Sequence, residues 1–194
     1  MNRIKYITLV SMILICSVVK AQLENDQDIS KVGTTAAQFL KISSGGRGLA
    51  MGSANVALCS DLTSSFWNPA GLAHLKGIGV YFENNGWLAG TDYNYGSFGF
   101  AWPRVGVFSL SLTMLSSPDD LVRTVDEPTG TGEKFNAQDM SIGISVGKSL
   151  TDQLSLGASI KNVRQRIWHS SGQTVAVDIG VQYKTPIKDI ILGA

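Results

Sequence analysis

The chain has 194 residues, with 16 basic and 15 acidic side chains and a formal charge of +1. That near-balance gives no support to nucleic-acid binding through a broadly basic surface. Charged residues make up 16% and apolar residues 44%, and glycine occurs 21 times. Soluble globular domains carry about 25% charge, so this balance fits strands that hide their hydrophobicity in alternation. No segment after the first 21 residues is a long apolar run, which excludes a helical membrane protein.

The first element is a secretory signal over residues 1–21. Arg3 and Lys5 form its positive start, Ile7 to Val19 its apolar stretch, and Val19-Lys20-Ala21 a small-residue cleavage site. The apolar stretch is far shorter than the roughly 20 residues a spanning helix needs. Cleavage after Ala21 leaves 13 basic against 15 acidic residues. It also leaves Cys59 as the sole cysteine, so no intramolecular disulfide framework is expected. No His/Cys cluster or paired-cysteine spacing points to a metal, and no cofactor is implied.

Residues 22–76 form the second segment. Its stretch from Phe39 to Leu75 is rich in small residues and ends in Trp67-Asn68-Pro69-Ala70-Gly71-Leu72. Asp61 is placed to cap a short helix from Leu62 to Trp67, which Pro69 stops by disfavouring helical geometry at Asn68. Gly45, Gly46, Gly48 and Gly52 allow a tight backbone path. A compact glycine-rich segment between an export signal and a strand ladder predicts a plug at the mouth of a barrel.

Past Gly77 a period of two recurs. Ile78, Val80 and Phe82 share one face, and Asn84-Asn85-Gly86 reads as a turn. Residues 92–102 alternate again, with Phe98, Phe100 and Trp102 together, and Pro103 to Gly106 predict a tight turn. Phe108, Leu110, Leu112 and Met114 then oppose Val107, Ser109, Ser111 and Thr113. Residues 117–138, with Pro118, Pro128, Gly130 and Gly132, predict a long surface loop. Strands resume over 140–149 and from Leu154 towards Trp168, joined by a turn at 150–153. A polar turn from His169 to Gln173 leads into Val175, Val177, Ile179, Val181 and Tyr183.

The apolar faces are opposed by Gly, Ser and Thr rather than Lys and Glu, as lipid outside and lumen inside would require. A soluble β-sandwich would need a second sheet to cover those faces. Short turns at 103–106 and 150–153 fall on one end and the long loop on the other, the asymmetry of outer-membrane barrels. Leu192-Gly193-Ala194 repeats Leu156-Gly157-Ala158 and predicts the start of a further strand. Six strands and the start of a seventh fall short of the roughly eight of a closed barrel. The expectation is therefore the N-terminal part of a longer protein, in which residues 77–194 are the first half of a barrel.

Four stretches in order carry a resemblance: Lys31 to Leu40; Arg47 through Met51-Gly52 to Ala57; Trp67 to Leu72; and Thr124 to Pro128 followed by Gly130 to Glu133. With them the chain resembles the PorV/PorQ family of outer-membrane proteins, relatives of FadL-type channels. The resemblance implies an all-β, antiparallel transmembrane barrel of FadL-like type with an N-terminal hatch, of which this chain is about half. It assigns Asn68, Pro69 and Ala70 to the hatch, with Arg47, Gly52, Trp67 and Gly71 alongside, and Arg47 is expected to pair with an acidic group in the lumen. It implies an outer-membrane location in a Gram-negative bacterium, with lipid as the surroundings. Two roles compete: an accessory of type IX protein secretion that binds secretion components or exported cargo, and passage of hydrophobic small molecules. The cargo-shuttling type continues its motif into a lysine and an aromatic residue, where Gly71-Leu72 stands here. Catalysis is not expected, because neither His74 nor His169 has a Ser/Asp partner pattern. Lys161, Arg164 and Arg166 read as a lumen or headgroup-level basic face.

Overall fold

The computed structural model describes residues 36–187 and 190–194. The signal at 1–21, its cleavage site and the start of the plug segment through residue 35 lie outside the described residues. The compact unit Ala37–Ala194 is built on one antiparallel sheet. Its strands are β1 (Ile78–Gly86), β2 (Asp92–Trp102), β3 (Gly106–Ser116), β6 (Ala137–Ser149), β7 (Leu154–Ile167), β8 (Ser170–Lys184) and β9 (Ile191–Gly193), hydrogen-bonded in that order. The short strands β4 (Asp120–Leu121) and β5 (Lys134–Phe135) pair separately within the connection from β3 to β6. The sheet is open, with β1 and β9 at its edges. Six full strands and a short seventh match the number read from the alternation.

Alternation fixes the register, because a slip of one residue would exchange the two faces. Val80, Phe98, Leu110, Ile144, Ile160 and Val177 stand opposite one another in an unbroken row across six strands. On the other face, Gly79, Gly99, Ser109, Ser145, Ser159 and Asp178 form the matching row. The apolar face is bare: Val80, Ile144 and Ile179 are 76%, 59% and 79% exposed. The small, hydroxylic face is covered, with Tyr95, Ser145 and Val163 each 1% exposed. Among the described residues the one other sheet is the two-stranded β4–β5 pair.

The covering is the segment Ala37–Leu75. It runs through a 3-10 turn (Gln38–Lys41), helical turns at Gly46–Ala50 and Ser64–Trp67, and a second 3-10 segment (Pro69–His74). Leu62 and Leu72 from this cover form a small apolar core with Val107 of β3, flanked by Leu75, Tyr81 and Ala101. No described helix is long and apolar enough to cross a membrane, which leaves open crossing by strands.

Several boundaries differ from expectation. Asn84-Asn85-Gly86 is not a turn but the end of β1, paired with Asn94, Tyr93 and Asp92. The chain reverses at residues 87–91 instead. The expected loop at 117–138 contains the β4–β5 pair, and β6 begins at Ala137 rather than Met140. The turn expected at His169–Gln173 is confined to Trp168-His169, because Ser170 to Gln173 pair with Ile167 to Arg164. That two-residue turn lies on the same end of the sheet as the long connection, so long connections do not mark that end uniformly.

Candidate functional site

The residues of the Trp-Asn-Pro-Ala-Gly-Leu stretch sit where the cover meets the polar face. The helix expected over Leu62–Trp67 is assigned only at Ser64–Trp67. Asp61 is not its cap: the N-cap position is Thr63, with no side-chain cap bond. Asp61 Oδ1 instead holds the turn before the helix, accepting from the Thr63 backbone N–H at 2.8 Å and from the Thr63 hydroxyl at 2.6 Å. The helix stops at Asn68, whose backbone is extended at φ −161°. A residue before proline is pushed out of helical geometry by the ring. Pro69 then starts the 3-10 segment, with Asn68 as its N-cap: Asn68 Oδ1 accepts from the Ala70 N–H at 3.0 Å. Proline is well placed there, because its fixed φ suits the first turn and its missing N–H has no partner to lose.

Asn68 also ties the cover to the wall. Its Nδ2 donates to the Val56 carbonyl of the cover and the Val181 carbonyl of β8, both at 3.0 Å. The floor beneath this segment is a row of three glycines, Gly147, Gly157 and Gly180, aligned across β6, β7 and β8. A methyl group on Gly157 would overlap the Pro69 carbonyl carbon and the Ala70 nitrogen, and one on Gly180 would overlap Asn68 Oδ1. On Gly147 it would lie 2.6 Å from the Pro69 oxygen. Within the cover, a methyl on Gly71 would overlap the Cys59 carbonyl oxygen. The glycines are needed for close backbone approach, and Ala70 is fully buried between these walls.

The remaining predicted residues serve the same seating. Trp67 Nε1 donates to the Ser44 carbonyl at 2.8 Å, and its ring lies over Gly48, where a methyl would stand 2.6 Å from Cζ2. Gly52, at φ +65°, closes the Gly46–Ala50 helix: its N–H bonds to the Leu49 carbonyl and that of Ser53 to the Gly48 carbonyl. This pattern is a Schellman C-cap, which favours glycine at the left-handed position. Arg47 departs from expectation. It is exposed, and among the described residues it makes no ion pair. It borders a cleft of about 360 Å³ shared with His74, Asp152, Gln182 and Lys184.

Sequence reasoning did not pick out three strand residues that grip the cover. Glu83 of β1 accepts from the Ser44 hydroxyl, the Gly45 N–H and the Tyr81 hydroxyl at 2.8, 2.8 and 2.7 Å. Tyr95 of β2 meets Ser65 at 2.6 Å, and Ser65 extends the chain through Ser97 to Ser109. Gln182 of β8 donates to the carbonyls of Ala57 and Cys59 at 3.2 and 2.8 Å. A polar residue of unusual length among Gly, Ser and Thr on the inward face was the available signal. Burial pushes the Cys59 thiol above its usual value.

The basic cluster is divided by the strand. Lys161 points to the polar face and pairs with Asp178 at 2.8 Å, while Arg164 and Arg166 lie on the apolar side. His169 lies in the β7–β8 turn, 3.3 Å from Glu133. Among the described residues no group of three His, Cys, Asp or Glu could hold a metal. No protein-family model matches the chain, and no curated protein matches it either.

Proposed function

We propose that this chain forms one arc of an outer-membrane β-barrel of the PorV/PorQ type, with the Ala37–Leu75 cover as the hatch inside the lumen. The observation that carries this reading is the inversion of the sheet. Its apolar side chains are bare in unbroken rows, and its serines, glycines and threonines are buried under the cover. Exposed apolar patches on soluble monomers rarely exceed a few hundred Å², and lipid is the surrounding in which such rows cost nothing. Trp102 and Trp168 stand near opposite ends of the strands, where the aromatic girdles of such barrels lie. The expected result is recovery of the chain in the outer-membrane fraction after carbonate extraction. Recovery in the soluble periplasm defeats the reading.

Within that reading, the ordered motif set supports a role as an accessory of type IX protein secretion, with secretion components or exported cargo as partners. Affinity purification from detergent-solubilised membranes tests it. Secretion components or a cargo domain are expected to co-purify, and their absence removes the role. A second reading, passage of hydrophobic small molecules, is favoured by a cleft of about 520 Å³ where Ala73 and Leu75 of the cover meet Ala101, Trp102 and Val107. Bound lipid in purified protein and reduced uptake in a deletion strain would favour it. Neither partner set involves nucleic acid.

A further inference from the structure

Arg164 and Arg166 are consecutive outward positions of β7, interleaved with the inward residues Val163 and Gln165. Residues two apart on a strand share a face and stand about 7 Å apart. Both guanidinium groups therefore occupy the same side of the sheet as the apolar rows. On β7 the apolar run ends at Ile160, and Asn162, Arg164 and Arg166 follow along the same face. Their cross-strand neighbours supply no negative charge. Arg164 stands between Met140 and Gln173, and Arg166 between Gln138 and Ser171.

The acid in that row is Asp92, at the far end on β2. Three strand spacings of about 4.8 Å put it about 14 Å away, beyond the Debye length of about 8 Å at physiological ionic strength. Two like charges lie side by side, and among the described residues neither has a carboxylate in direct contact. Asp119 reaches Arg166 only through Asn136, whose Nδ2 donates to Asp119 Oδ1 at 2.9 Å. Arg166 is already oriented, its Nη2 donating to Asn136 Oδ1 at 3.1 Å. Gln173 is likewise held, donating to Asn162 Oδ1 at 3.1 Å.

We propose that Arg164 and Arg166 form an outward-facing site for the phosphate of a lipid headgroup, whose acyl chains lie along the apolar rows below. The planar forks of arginine match phosphate oxygens two at a time, which lysine cannot do. The apolar surface leading directly to the pair selects a phosphate attached to a lipid over one in solution. This inference rests on the membrane reading above.

The test uses the whole chain refolded into phosphatidylcholine vesicles, with or without 10 mol% (about one lipid in ten) phosphatidic acid. Association of a spin-labelled phosphatidic acid is measured against the matching phosphatidylcholine. The expected preference for the phosphate lipid is about thirtyfold, since each of the two basic residues at a membrane surface is worth about 1 kcal/mol. The R164Q/R166Q variant should insert equally into pure phosphatidylcholine and lose the preference, with R164K/R166K retaining part of it. Equal preference in wild type and the glutamine variant overturns the site and leaves the barrel reading standing. Competition by millimolar inorganic phosphate overturns the lipid as its ligand. Failure of the wild-type chain to insert into any vesicle overturns both readings.

Discussion

Asn68 joins cover and wall with one carboxamide, accepting from the Ala70 N–H and donating to carbonyls on either side. Only an amide of this length supplies both functions at once. Asn68→Ala removes a helix cap, worth about 1 kcal/mol, and two hydrogen bonds to the Val56 and Val181 carbonyls, together worth about 1–3 kcal/mol. A loss of about 2–4 kcal/mol in unfolding free energy is expected from urea titration in detergent micelles. Asn68→Asp keeps the acceptor for Ala70 but turns a second oxygen towards carbonyls, so it should be at least as damaging. The glycine floor yields a sharper contrast. Gly157→Ala drives a methyl into backbone that has no rotamer to yield, whereas Gly172→Ala on β8 meets nothing within 4 Å. Limited proteolysis should cut the cover of the first variant well before that of the second, and equal rates would refute the glycine-track account. Cys59, 2% exposed, should resist maleimide until the protein unfolds. Its folded value is raised, so the unfolded thiol ionises first as pH climbs past 9.0, and stability falls with rising pH there.

At the scale of elements, the strands were legible wherever one face was apolar throughout. β3 (Gly106–Ser116) contains the whole alternating run from Val107 to Met114, because Phe108, Leu110, Leu112 and Met114 share one face opposite Ser109, Ser111 and Thr113. The misses fall where local turn chemistry and cross-strand pairing disagree. Asn84-Asn85-Gly86 has the composition of a turn, but β2 continues far enough to pair with it, and Asn84 Nδ2 donates to Asn94 Oδ1 at 2.7 Å. Ser170 to Gln173 look like a polar loop because the outward face there has left the apolar rows, yet β7 still supplies a ladder. The grip on the cover was not legible at all, since Asn68 and Val181 are 113 residues apart and only tertiary structure brings them together. Ile144 tests what the apolar rows are for. In a soluble protein an exposed Ile144→Arg change would be neutral or improve solubility. At the midplane of a bilayer it costs about 2–4 kcal/mol. Refolding yield into vesicles, compared with Ser116→Arg in the polar row near the strand ends, should fall markedly for Ile144→Arg alone.

The whole molecule is inverted relative to a water-soluble sheet, and its four tryptophans sample both sides of that inversion. Trp102 ends β2 on the apolar face, where Phe100 and Phe108 stack at 5.6 Å and Trp102 meets Phe108 edge-on at 6.3 Å. Trp67 lies on the opposite side, its indole nitrogen bonded to Ser44 within the cover. An eleven-residue strand is about 35 Å long, and at a barrel tilt of about 40° it spans the roughly 25 Å apolar band. Trp102 should therefore sit at one lipid interface and Trp168 near the other, with Trp67 shielded by the sheet. Single-tryptophan variants, made by changing the other three to phenylalanine, separate these environments in vesicles of brominated lipid. Bromine near the headgroup should quench Trp102 and Trp168 more than bromine at the acyl-chain ends, because depth sets contact. Trp67 should keep its emission with either lipid, since the wall lies between it and the chains. Quenching of Trp67 to the same degree as Trp102 would mean that the covered face also meets lipid, and the cover could not then be a hatch inside a lumen.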